Sequence, residues 1–165
     1  MSKPVAIITT KLFNPEAFAQ TQDEQVLLAI EKALKNEDIP FVDQIGEKLR
    51  YMQHNYITRS ACVQIIMTPN LLQSSAACAF VDLALDIRDD LRTKGKDIRL
   101  LVIHGIQCDW DKRFTFLNPS LNGVPWPIDP NGYKAYADLS EGGKLRQLAR
   151  FSQDMKELYE SITKE

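Results

Sequence analysis

Three predominantly apolar runs set the terms for this chain: the continuous Val5-Ala6-Ile7-Ile8, then Cys62-Val63-Gln64-Ile65-Ile66-Met67, and the stretch from Ile98 to Ile106. A strand with one wetted face alternates apolar and polar residues. A run that stays apolar at successive positions needs cover on both faces, which is the situation of strands in a parallel sheet. The cover is present in the intervening sequence. Asp23 to Leu34 carries Val26, Leu27, Ile30, Ala33 and Leu34 at spacings of three and four, the mark of an amphipathic helix. Glu47 to Ile57 repeats the pattern with Leu49, Met52, Tyr56 and Ile57. Ser74 or Ser75 is placed to cap a long helix reaching Arg92, with Gly95 to end it. Gly143 to Ile162 is a last amphipathic helix, with Leu145, Leu148, Phe151, Met155, Leu158, Tyr159 and Ile162 on one face.

Two shorter strands complete the expected sheet. Ile39-Pro40-Phe41-Val42 holds a proline, which points to an edge position because proline cannot donate to a ladder. Tyr133 to Leu139 alternates, and is expected as a further short edge strand. Strands separated by single helices favour right-handed crossovers and parallel pairing. The fold class is therefore α/β, a flavodoxin-like three-layer sandwich whose five-stranded, mostly parallel sheet has helices on both faces. Residues 1–165 are expected to form a single domain, since a chain of 165 residues can bury about two-thirds of its unfolded surface.

Twenty basic and twenty-two acidic residues leave a net charge of −2. Neither a nucleic acid nor an anionic membrane has an electrostatic footprint in that balance. The first apolar run spans four residues, too short for a signal-peptide core or a membrane span. Cys62, Cys78 and Cys108 are an odd number with no close pair, as for reduced thiols, and His54 and His104 show no metal-ligand spacing. These features point to a cytoplasmic protein without a metal site.

Ligands of open parallel sheets bind beyond the carboxyl ends of the strands. The first such loop, Thr9-Thr10-Lys11-Leu12-Phe13-Asn14-Pro15, offers two hydroxyls and a lysine. The second, Asp43-Gln44-Ile45-Gly46-Glu47-Lys48, holds a glycine that allows close approach of a partner or a plain turn. Neither Gly-x-Gly-x-x-Gly nor Gly-x-x-x-x-Gly-Lys occurs anywhere, and no Gly-x-Ser-x-Gly elbow exists. In the third loop and helix, Asp82 stands among Phe80, Val81, Leu83, Ala84 and Leu85. Such a carboxylate lies at the rim of a pocket or on a solvated stripe, and Asp86 and Asp89 continue the stripe. His104 is a candidate base for Cys78 or Asp82, although a strand-end histidine is more often structural.

The sequence Thr68-Pro69-Asn70-Leu71-Leu72-Gln73-Ser74-Ser75, followed by Cys78-Ala79-Phe80-Val81-Asp82, resembles bacterial-type TIR (Toll/interleukin-1 receptor) domains. Their third strand ends in Ser/Thr-Pro-Asn and is followed by Cys-x-x-x-Glu. Arg99-Leu100-Leu101-Val102-Ile103 with Gln107-Cys108-Asp109-Trp110 is similar to the fourth strand and Cys-x-Trp turn of that group. Asn122-Gly123-Val124-Pro125-Trp126-Pro127 and the final helix keep the same order, so the resemblance spans roughly residues 4 to 162.

The resemblance implies a domain of bacterial-type defence signalling that self-associates with other TIR domains and acts with an effector or sensor protein. It also implies binding of NAD or a related nucleotide, with NAD glycohydrolase or cyclase activity. NAD would then be a substrate rather than a resident cofactor. By position, Thr9, Thr10, Gly46, Thr68 and Ser75 line the site, and Asp82 takes the place of the family's catalytic glutamate. That carboxylate would offset positive charge developing on the ribose. Aspartate is one methylene shorter, and a misplacement on the order of 1 Å can cost about a hundredfold in rate. The first strand also lacks the aromatic and Ser-Tyr usual in the family, and the second loop keeps Asp43 and Gly46 but no tryptophan. Two alternatives follow: a catalytically silent TIR-like signalling or nucleotide-sensing module, and a nucleoside deoxyribosyltransferase-like enzyme.

Overall fold

In the computed structural model, residues 3–45, 49–114, 126–127 and 134–163 are described, with backbone alone at 49–52. Four strands form one all-parallel sheet in the order β2-β1-β3-β4: β1 Val5–Ile8, β2 Phe41–Val42, β3 Cys62–Met67 and β4 Leu100–His104. The central pair is in register from Val5 opposite Cys62 to Ile8 opposite Ile65, and every residue of both strands is buried. This is the condition that their apolar sequences, interrupted only by Gln64, demand.

Seven helices occur among the described residues: α1 Pro15–Phe18, α2 Gln22–Asn36, α3 Leu49–Thr58, α4 Pro69–Gln73, α5 Ser75–Thr93, α6 Trp110–Arg113 and α7 Glu141–Thr163. The alternation of the strand side chains divides the core in two. Ala6, Ile8, Val63, Ile65, Met67, Leu100 and Val102 pack against Ile57 of α3 and Ala77, Phe80, Val81 and Ala84 of α5. Val5, Ile7, Cys62, Ile66 and Ile103 pack against Val26, Leu27, Ile30 and Leu34 of α2 and Phe151, Met155 and Tyr159 of α7. Helices thus cover both faces. The Tyr159 hydroxyl donates to the Lys3 carbonyl at 2.6 Å and ties α7 to the entry of β1.

Local signals act as their chemistry predicts. Ser74, rather than Ser75, caps α5: its Oγ accepts from the Ala77 amide at 3.1 Å. Gly95, at φ +76°, ends the helix while the Lys96 amide reaches back to the Leu91 carbonyl. Proline at position 40 leaves β2 only two residues long, and β2 lies at the sheet edge as expected.

The expected fifth strand requires correction. Within 134–139, residues Tyr136–Asp138 form a 3-10 turn, and Tyr133 lies outside the described residues. Trp126 takes the place beside β4, bridging Ile103 in parallel fashion. Its amide donates to Val102 O at 3.0 Å and its carbonyl accepts from the His104 amide at 2.7 Å. Those β4 groups are thereby satisfied, and the Tyr136 ring instead stacks on Trp126, 5.7 Å between centroids. The described residues 134–139 therefore contribute a 3-10 turn and a packed ring rather than a ladder strand.

Candidate functional site

In this strand order the crossovers run outward in opposite directions from β1 and β3, which makes their junction the switch point where parallel sheets receive ligands. Thr9 follows β1 directly and is 3% exposed; its Oγ1 accepts from the Lys11 amide at 3.1 Å and caps the 3-10 turn Thr10–Leu12. Thr10 is part-exposed. Across the junction, Thr68 follows β3 and is 1% exposed. Its Oγ1 accepts from the Leu71 amide at 3.1 Å, capping α4, and donates to Asp23 Oδ2 at 2.6 Å. Asn70 Nδ2 donates to the other Asp23 oxygen at 3.3 Å. The buried Asp23 carboxylate, in the first turn of α2, therefore locks that helix to the turn after β3.

A second polar cluster lies where short β2 leaves the edge of β1. Lys11 Nζ contacts Asp43 Oδ2 at 2.9 Å, and Glu31 of α2, 6% exposed, hydrogen-bonds Asp43. The Tyr56 hydroxyl from α3 lies 2.6 Å from the Ile7 carbonyl and 2.7 Å from that of Val42, at the point where the two strands part. Burial, then the hydrogen bond and charge of Asp43, push the Glu31 carboxyl from 4.5 up to about 8, against the pull of Lys11 and Lys35. Burial also acts to raise Asp43, but hydrogen bonds from Glu31 and Lys11 outweigh it and hold Asp43 below 3.8. The arrangement is a shared-proton carboxyl pair beside an ammonium, with the charge on Asp43.

Asp82 projects from α5 with its side chain 48% exposed. Arg113, the last residue of α6, reaches it with two nitrogens: Nη2 to Oδ2 at 2.9 Å and Nη1 to Oδ1 at 3.5 Å. Asp86 and Asp89 are exposed further along α5, so Asp82 begins a solvated acidic stripe, and an arginine lies against its first member. Cys78, one turn earlier, is buried and places its sulfur 3.5 Å from the Leu72 carbonyl and 3.6 Å from that of Leu71. Burial raises its thiol above the ordinary value, opposed by the charge of Arg113. Burial pushes Cys62 to about 12 and Cys108 to about 11, so these thiols remain protonated at neutral pH.

The sequence candidates thus fall into separate places. Thr9 and Thr10 follow β1 and Thr68 follows β3, at the carboxyl ends of neighbouring, paired strands. Ser75 is exposed at the first turn of α5, and Gly46 lies outside the described residues. The hydrogen bonds described for Cys78 and Asp82 go to other groups than His104, whose ring faces Trp110 edge-on at 6.4 Å. Burial lowers its basicity, with Asp138 and Asp111 opposing, and its Nε2 has no partner among the described residues. A cleft of about 250 Å³ opens between α2 and α7, lined by Gln22, Gln25, Tyr136 and Lys144 among others, and none of the sequence candidates borders it. Among the described residues no three His, Cys, Asp or Glu side chains are grouped to hold a metal ion, and no helix is long and apolar enough to cross a membrane.

Set against protein-family models, curated proteins and solved structures, the chain matches none.

Sequence reasoning missed Asp23, Glu31 and Arg113. Glu31 had a legible signal: it stands four residues after Leu27 and three before Leu34, inside the apolar stripe of α2, where an ordinary carboxylate is out of place. Arg113 carries no such signal, because its partner lies 31 residues earlier on another element.

Proposed function

We propose that the chain is a TIR-like domain of flavodoxin-like architecture that receives NAD or a related nucleotide across the carboxyl tips of β1 and β3. The observation that supports this reading best is the pair of threonine-capped turns at the switch point. Thr9 and Thr68 each spend a side-chain oxygen on capping the turn that follows, so the backbone there is held in place before any ligand arrives. The Thr9 and Thr68 hydroxyls are buried and already bonded, so what these turns offer a ribose is their fixed backbone and part-exposed Thr10. Asp82 is the carboxylate for glycohydrolase or cyclase chemistry: an ionised group beside the ribose offsets the positive charge that develops as the nicotinamide bond breaks. Signalling through association with other TIR domains belongs to the same reading.

The test is release of nicotinamide from NAD by concentrated protein, alongside direct titration of NAD binding. Activity that disappears in Asp82→Ala and rises in Asp82→Glu, where the longer side chain restores reach, supports the enzyme. The engagement of both Asp82 oxygens by Arg113 favours a second reading, a silent nucleotide-sensing module. NAD binding without release, unchanged in Asp82→Glu, selects that reading. Absence of NAD binding by the folded protein refutes both.

A further inference from the structure

Arg113 is held in an unusual way for a surface cation. Buried Trp110 and Phe114, 6% and 2% exposed, anchor the chain on either side of it, and the Phe114 amide closes the turn onto the Trp110 carbonyl at 2.8 Å. Its guanidinium lies over the Phe114 ring, 4.6 Å from the centroid, and presents two nitrogens to the two oxygens of Asp82. The fork is therefore oriented by the ring and by its own short helix. The anchors of that helix are aromatic, so α6 does not depend on the ion pair. Both partners are nearly half exposed, at 44% and 48%, and an exposed pair of this kind binds its members weakly. A guanidinium stacked on an aromatic face and aimed at a planar pair of oxygens also fits the geminal oxygens of a phosphate. At the tip of β1, by contrast, Lys11 is committed to Asp43 in a part-buried pair.

We infer that Arg113 is the residue that recognises the diphosphate of the nucleotide, and that the incoming diphosphate displaces the Asp82 carboxylate from the guanidinium. The inference rests on the nucleotide-binding reading above and deepens it. One exchange then has two consequences: the ligand gains a charge-assisted fork, and Asp82 is released to face the cationic nicotinamide riboside end of the same molecule. Until that exchange, the guanidinium engages both Asp82 oxygens. The silent state and the competent state differ by one ion-pair exchange.

The experiment is calorimetric titration of the full chain with three probes: NAD, ADP and nicotinamide riboside, which lacks phosphate. Arg113→Gln is expected to weaken NAD and ADP by about tenfold to a hundredfold while leaving the riboside within about twofold. Arg113→Lys, which keeps the charge but loses the fork, is expected to recover only part of the loss. Asp82→Asn supplies the readout that a plain surface contact would not move. Removing the competing carboxylate is expected to tighten ADP by up to about fivefold. Equal ADP affinity in the original chain, Arg113→Gln and Asp82→Asn overturns the exchange while leaving nucleotide binding intact. A folded original chain that binds none of the three probes overturns the inference together with the reading beneath it. If Arg113→Gln fails to fold, the ADP comparison between Asp82→Asn and Arg113→Lys decides: unchanged affinity in both overturns the inference.

Discussion

Replacing Glu31 by glutamine should remove a pH dependence built into the fold. Glu31 is 6% exposed, shares a hydrogen bond with Asp43, and leaves Oε2 without a partner among the described residues. Burial and Asp43 raise its carboxyl from 4.5 to about 8. Between those values the folded protein keeps a proton that the unfolded chain has released. Stability must therefore fall as pH rises through this window, by about 1.4 kcal/mol per pH unit for one proton, and level off above about pH 8. Integrated over the shift, the loss is at most about 5 kcal/mol, a large part of the stability of an ordinary domain. Asp43 works in the opposite sense. Held below 3.8, it contributes stability that is present above that value and lost as pH falls through its folded titration.

Glutamine keeps the size of glutamate and can donate to Asp43 without titrating. Urea unfolding of the original chain and Glu31→Gln at a series of pH values between about 5 and 8 tests the reasoning. The two should be similar near pH 5 and diverge upward, with Glu31→Gln ahead by about 2–4 kcal/mol at pH 8. Parallel profiles, separated by the same amount at every pH, would refute the shared proton.

Two further substitutions probe the strand tips. A Cβ on Gly105 would stand 2.9 Å from Ile66 Cγ2 and 3.1 Å from Val26 Cγ1, both in the core between β3 and α2, so Gly105→Ala should cost about 1–3 kcal/mol in thermal or urea unfolding. A gain in stability would mean that α2 moves aside at no cost. Thr68→Val keeps the branched shape but removes the cap of α4 and the 2.6 Å donor to buried Asp23, and should cost about 2–4 kcal/mol. Amide exchange should then show early opening at the first turn of α2, and exchange unchanged there would refute the locking role of Asp23.

Much of the architecture could be read directly from residue order. The apolar runs at Val5–Ile8 and Cys62–Met67 require cover on both faces, and the helical stripes between them supply it; parallel pairing then follows from short-range periodicity alone. Pro40 at a sheet edge and Gly95 after α5 were legible for the same reason, since each acts through its own backbone. The described residues 134–139 were misread as a strand because the place beside β4 is taken by Trp126, on another stretch of the chain. The polar pairings lay further still from the reach of sequence. Asp23 with Thr68, Glu31 with Asp43, and Asp82 with Arg113 join residues 45, 12 and 31 positions apart. Periodicity identifies which face of an element is buried, but a charge acquires its partner and its proton affinity only when the elements pack, because both depend on distance and local solvent.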